Sequence, residues 1–97
     1  MKVSQKQEKG AAKRMGAKQH SGSGSGHTRN DMHTDDTLIE CKTVLIGNKQ
    51  ITLNVDVLKS LAYNAAIQDK SPVLHIELGG KTYVVIPEVD YLELRDL

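Results

Sequence analysis

The feature that most constrains this chain is the run Val73-Leu74-His75-Ile76-Glu77-Leu78, Gly79-Gly80, Lys81-Thr82-Tyr83-Val84-Val85-Ile86. Two stretches rich in β-branched and aliphatic residues, separated by two glycines, predict a hairpin with a Gly-Gly turn. A two-stranded ribbon is marginal in water by itself, so the rest of the chain must supply strands and helices to cover it. The upstream sequence offers them. His27 to Thr34 and Thr37 to Val44 read as two extended stretches joined by Asp35-Asp36. After the turn signal Gly47-Asn48, Ile51-Thr52-Leu53 reads as a third short extended piece. Asn54 or Val55-Asp56 then opens an amphipathic helix. Its apolar positions Val57, Leu58, Leu61, Ala62, Ala65 and Ala66 keep helical spacing through Ile67, and Ser71-Pro72 stops it.

At the N-terminal end, residues from Ser4, a candidate N-cap, to about Lys18 favour helix. The apolar content there is thin, Gly10 and Gly16 weaken it, and such a helix needs a partner to hold it. Pro87-Glu88 leads into a short C-terminal helix expected to turn Val89, Leu92 and Leu97 inward. The expected order is therefore α-β-β-β-α-β-β-α. It describes a single α/β (α+β) domain over residues 1–97 with a small mixed sheet flanked by helices. Residues 1–26 supply a basic helix and a Ser/Gly loop, and 27–97 the sheet core.

Charge is distributed unevenly. The formal net charge is +1, yet residues 1–30 carry seven Lys/Arg against the single acid Glu8, and residues 31–97 carry six against eleven acids. A segment of +6 on a body of −5 is a common footprint of a protein that meets a polyanion, and a solvated basic tail gives the same arithmetic. Between the two lies Ser21-Gly22-Ser23-Gly24-Ser25-Gly26. By composition it is a flexible linker; as a loop, its hydroxyls and glycines let backbone N–H groups approach a phosphate closely. The one cysteine, Cys41, forms no intramolecular disulfide, so an intracellular, cytoplasmic setting is expected. Apolar runs are too short to span a bilayer, and no apolar stretch follows the first basic residues, so neither membrane insertion nor secretion is expected.

If Asp35 and Asp36 are the two loop residues, Thr34 faces Thr37, and facing positions sum to 71. Asp31 is then opposite Glu40, with Cβ atoms roughly 4.5–5.5 Å apart, a placement that destabilises two carboxylates unless a cation lies between them. Lys42 shares their face, two residues beyond Glu40. Two carboxylates and an ammonium in one small volume suit phosphodiester hydrolysis. The carboxylates hold a hard cation, the Cys41 backbone carbonyl adds a further oxygen, and Lys42 orients the attacking water or steadies the developing charge. The Cys41 side chain points to the opposite face, as a core thiol.

Asp31 followed by Glu40-Cys41-Lys42 inside an apolar strand resembles the PD-(D/E)xK nuclease superfamily. The longer string, Gly16-Ala17-Lys18, Ser21-Gly22-Ser23-Gly24, Arg29-Asn30-Asp31 and Leu38-Ile39-Glu40-Cys41-Lys42, resembles its small archaeal and especially phage Holliday junction resolvases. A bare D-x(n)-E-x-K arises often by chance. Here the Ser/Gly loop, the basic helix, the length and the element order accompany it across nearly the whole chain. Asn30 stands where the superfamily name has proline, which removes no ligand.

The resemblance implies a restriction-endonuclease-like core that cuts branched DNA in recombination or repair with magnesium or manganese. It also implies a homodimer, because a four-way junction needs two symmetric nicks, and host cytoplasm for a phage enzyme. It implies that Glu8, the one acid before Asp31, completes the metal site, and that Ser21, with Ser23 as the alternative, contacts the scissile phosphate. Lys6, Lys9, Lys13, Arg14, Lys18 and Arg29 are the candidate DNA-backbone contacts, against the reading of a solvated basic face. His20 and His27 flank the Ser/Gly loop, and with His33 they lack the partners and spacing of a zinc site. His75 is expected to be structural. Two other readings stay open: a flap- or nick-directed or virus-type repair nuclease with the same site, and a non-catalytic DNA-binding protein.

Overall fold

The computed structural model describes residues 3–19, 32–43 and 49–97, with side chains described at 9–18, 32–42 and 49–97. The elements are helix α1 (Val3–Met15), strands β1 (Lys18–Gln19), β2 (Met32–His33) and β3 (Thr37–Thr43), helix α2 (Val55–Ile67), strands β4 (Ser71–Leu78) and β5 (Lys81–Val85), and helix α3 (Glu88–Arg95). The strands form one mixed sheet in the order β1-β2-β3-β4-β5. All neighbours are antiparallel except β3 and β4, which run parallel from Thr37↔Ser71 to Thr43↔Glu77. A parallel pair needs a crossover, and α2 provides it.

The hairpin that anchors the sequence reading is present. Gly79 and Gly80 have φ of 62° and 77°, the doubly left-handed turn that glycine permits without a Cβ clash. Five pairs from Leu78↔Lys81 to Leu74↔Val85 follow it. Helix α2 also begins as expected: the Asn54 side chain accepts from the Asp56 N–H at 2.8 Å, and Asp56 places a negative charge in the first turn.

Its end is different. The helix stops at Ile67 through a left-handed Asp69 (φ 57°), with Asp69 N–H donating to the Ala66 carbonyl and Lys70 N–H to the Ala65 carbonyl. That pair of bonds is a Schellman closure with aspartate in the usual glycine place. Ser71-Pro72 is therefore the start of β4 and not the helix stop. Helix α1 likewise closes at Gly16 (φ 64°), where Ala17 N–H donates to the Ala12 carbonyl. It ends before Lys18, and Ser4 lies inside it and not at its cap.

The letters of the expected order recur for a different reason. Ile51–Leu53 forms no strand; Ile51 packs against the core under α2, and the Thr52 carbonyl is taken by Lys42. The additional strand is instead β1, which pairs with β2 at Lys18↔His33 and Gln19↔Met32. In α3, Leu92 is half-buried, whereas Val89 is 60% exposed, and Leu97, just past the helix, is 99% exposed, so two of the three side chains expected to turn inward face solvent. The helix lies across the ends of β3 and β4, where a small groove runs between Thr37, Ser71 and Val73 on one side and Asp90, Leu94 and Leu97 on the other.

The sheet is covered on both faces, as period-two alternation requires. Leu38, Leu74 and Ile76 point to one face and pack with Leu61 and Ala65 of α2. Ile39, Met32 and Val73 point to the other and pack with Ala11 of α1, joined by Ala12, Met15 and Cys41. The basic N-terminal helix is thus part of the same packed unit as the sheet, with Ala11 fully buried.

Candidate functional site

The site begins at the turn between β2 and β3. Thr34 N–H donates to the Thr37 carbonyl at 2.9 Å, and the ladder continues with His33↔Leu38 and Met32↔Ile39. Facing positions sum to 71, the register read from the sequence. The turn achieves this without glycine because the Thr34 hydroxyl organises it. That oxygen accepts from the N–H groups of Asp36 (3.3 Å) and Thr37 (2.9 Å), meets the Thr37 hydroxyl, and donates to Asp36 Oδ1 at 2.9 Å. This is a local side-chain-to-backbone turn of the kind Thr makes well. The backbone carbonyl of Asp36 accepts from the Ser71 N–H at 2.8 Å, which ties the turn to the start of β4.

Beyond Ile39, β3 continues alone on its β2 side among the described residues, while its other side stays paired with β4: Glu40 with Leu74, Cys41 with His75, Lys42 with Ile76. Alternation puts Glu40 and Lys42 on the Leu38 face and Cys41 on the Ile39 face. Both Glu40 and Lys42 are half-buried. Lys42 Nζ donates to the Thr52 carbonyl at 3.0 Å, so the ammonium is held toward the segment that enters α2. The Cys41 side chain is a half-buried thiol packed with the α1-side core, as expected of it.

Several expected partners of this pair lie outside the described residues: Asp31, one position past the last described pair of β2, and Ser21, Ser23, Arg29, His20 and His27. The side chains of Glu8 and Lys6 are outside them too. The backbone of α1, which carries Glu8, packs on the Ile39 and Cys41 face, across the sheet from Glu40 and Lys42. Of the basic contacts, Lys9, Lys13, Arg14 and Lys18 are all exposed, on α1 and β1.

Sequence reasoning overlooked a cleft of about 830 Å³ between the end of α1 and the β2–β3 turn, lined by Met15, Gly16, Lys18, His33, Thr34 and Asp35 to Thr37. Lys18 and His33 face one another across β1 and β2 there. The sequence signal for this was the polar Thr-Asp-Asp-Thr turn itself, but its neighbour β1 was not visible as a strand.

On the opposite face, His75 is buried at 3% exposure. Its pKa lies below the ordinary 6.5, chiefly because burial disfavours the charged ring, with the Arg14 guanidinium adding to the effect and Glu77 opposing it. Among the described residues, no group of three or more His, Cys, Asp or Glu side chains is placed to hold a metal ion. Nor, among them, is any helix long and apolar enough to cross a membrane. No protein-family model, curated protein or solved structure matches the chain.

Proposed function

We propose that this protein is a metal-dependent, structure-selective endodeoxyribonuclease of the PD-(D/E)xK type that cuts branched DNA, with the Holliday junction as its preferred substrate. The observation that carries the reading is the β2–β3 register. The pairs Met32↔Ile39 and His33↔Leu38 sum to 71, the same count by which the sequence sets Asp31 against Glu40, and Lys42 stands on the Glu40 face of β3. Glu40 and Lys42, both half-buried and two residues apart on one face of β3, put a carboxylate beside an ammonium, and a carboxylate is a hard-cation ligand. Asp31, Glu40 and the Cys41 carbonyl are the proposed ligands, whereas Glu8 rides on the helix that covers the other face of the sheet; a magnesium or manganese ion held there would supply a Lewis acid that lowers the pKa of a bound water.

The chain's own residues do the rest. Lys42, released from the Thr52 carbonyl, offers its ammonium to the developing phosphoryl charge, where a positioned cation stabilises more than it does in water. Ser21 holds the scissile phosphate, with Ser23 as its neighbour in the same loop. The exposed Lys9, Lys13, Arg14 and Lys18, with Lys6 and Arg29, neutralise flanking phosphates, so binding weakens steeply with salt.

The test is incubation of labelled four-way junction, flap and duplex with the protein, with and without Mg²⁺. Cleavage of the junction that requires the metal is the expected result. Asp31→Asn and Glu40→Gln each remove cutting, by at least about a hundredfold, while junction binding persists. A Glu40→Gln protein that cuts at the wild-type rate refutes the assignment. A second reading has the existing Lys42–Thr52 bond on its side: the ammonium is a structural tie, and the protein grips DNA without cutting it. That reading gives metal-independent junction binding and no product in the same assay.

A further inference from the structure

Among the described residues, no strand pairs with the outer edge of β5, the terminal strand of the sheet. It also carries apolar side chains that the fold leaves uncovered on both faces: Tyr83, 52% exposed, on the α2 side, and Val84, 51% exposed, on the α1 side. Open edges are normally blunted by proline, a bulge, inward charge or a covering loop. Strand β5 has no proline, pairs with β4 without a bulge, and carries one charge, Lys81, at the turn. Helix α3 does not cover it, because it turns back over the ends of β3 and β4 beside Thr37 and Ser71.

We infer that a second copy of this chain occupies that edge, with β5 pairing antiparallel to β5 of its partner about a two-fold axis at Tyr83. The ladder itself selects this register. The two-glycine turn makes Leu78 and Lys81 a hydrogen-bonded pair, so Lys81, Tyr83 and Val85 direct their backbone groups to β4, and those of Thr82 and Val84 point outward. Pairing centred on Tyr83 sets Thr82 against Val84 of the other copy, outward groups against outward groups, and uses all five residues. Lys81 falls opposite Val85, so no like charges meet, and the tyrosines face each other at the close, non-hydrogen-bonded position.

Self-association through α3 lacks this complementarity. Its exposed Tyr91 and Leu94 are interleaved with Glu88, Asp90, Glu93 and Asp96, which a two-fold axis would set against their own copies. The β5 contact instead joins two sheets into one, with both α2 layers on the same side. The two β3 strands then lie five strand spacings apart, roughly 24 Å. The two Glu40–Lys42 faces look the same way, as two cuts on one substrate require. The dimer does not rest on the nuclease assignment, since its readout is mass and not cleavage.

The test is sedimentation equilibrium of the full chain. Wild-type protein is expected at twice the chain mass, and Tyr83→Glu, which sets two carboxylates against each other on the axis, is expected at the chain mass with an unchanged circular dichroism spectrum. The control Tyr63→Glu, on the exposed face of α2, is expected to remain dimeric. A second variant guards against misfolding. Tyr83→Cys places two thiols at a pair whose Cα atoms are about 4.5 Å apart, within disulfide range, so an added oxidant should yield a covalent dimer that Tyr63→Cys does not give. A monomeric wild type, a dimer that Tyr63→Glu dissociates and Tyr83→Glu does not, or no selective cross-link through Tyr83→Cys overturns the inference.

Discussion

The two faces of the sheet are built differently. Under α2 the core is made of large aliphatic side chains from both layers, Leu38, Leu74 and Ile76 below and Leu61 above, with Leu58 and Val85 at its margin. Under α1 the helix contributes alanines and one methionine, Ala11, Ala12 and Met15, and the bulk comes from Met32, Ile39 and Val73 of the strands. A helix of small residues lets its backbone approach the sheet but removes less apolar area from water per residue. The α2 face is therefore the main source of burial, and the α1 face is a close-fitting cover. The polar residues follow the same division. Glu40 and Lys42 extend the α2 face past its core, whereas the α1 face encloses His75 and Cys41 beside a helix studded with lysines.

That contrast can be broken on either side. The largest effect is expected from Leu74→Ala, which empties a fully buried position in the aliphatic layer and should cost about 2–5 kcal/mol by denaturant unfolding, enough to unfold much of a small domain. On the other face the sensitive change is enlargement. Ala11→Leu forces a branched side chain between α1 and β3, where none of the alanine is exposed, and should cost about 1–3 kcal/mol by overpacking. If Ala11→Leu proves neutral or stabilising by the same measurement, α1 is not seated as closely as its alanines indicate.

The smallest effect sharpens the comparison through pH. The His75 pKa is lowered in the folded protein, so below its ordinary 6.5 the unfolded chain binds the proton more readily than the folded one. Stability is complete above that value and declines as pH falls through it toward the folded-state pKa. The charges acting on the ring have opposite senses: Arg14 on α1 deepens the decline and Glu77 on β4 moderates it. Unfolding midpoints at about pH 7.5 and about pH 5.5 should differ more for the wild type than for His75→Gln, which has no proton to bind. An equal drop in both proteins would place the acid sensitivity elsewhere.

Much of the candidate site was legible because it is local. Facing positions across a two-residue loop follow from counting, and alternation along one strand puts Glu40 and Lys42 together without knowledge of anything else in the chain. Thr34 makes the loop hold, a role the sequence displayed only as a threonine beside two aspartates. The position of Glu8 was not legible in the same way. It depends on which face of the sheet α1 covers, and that is set by Ala11, Ala12 and Met15 fitting against Ile39 and Met32, residues far away along the chain.

The same division holds for the fold. The Gly79-Gly80 hairpin, a helix opening at Asn54 to Asp56 with its apolar stripe through Ile67, and the β2–β3 register could all be read from the sequence, because each rests on backbone preferences and hydrogen bonds among residues a few positions apart. Only the tertiary structure decided that β3 lies parallel to β4, that Lys18–Gln19 becomes a strand while Ile51–Leu53 does not, and that α3 leaves Val89 and Leu97 in water. A strand exists only where another strand accepts its hydrogen bonds, and a helix face is buried only where a surface meets it. Both depend on partners brought together by packing across the whole chain.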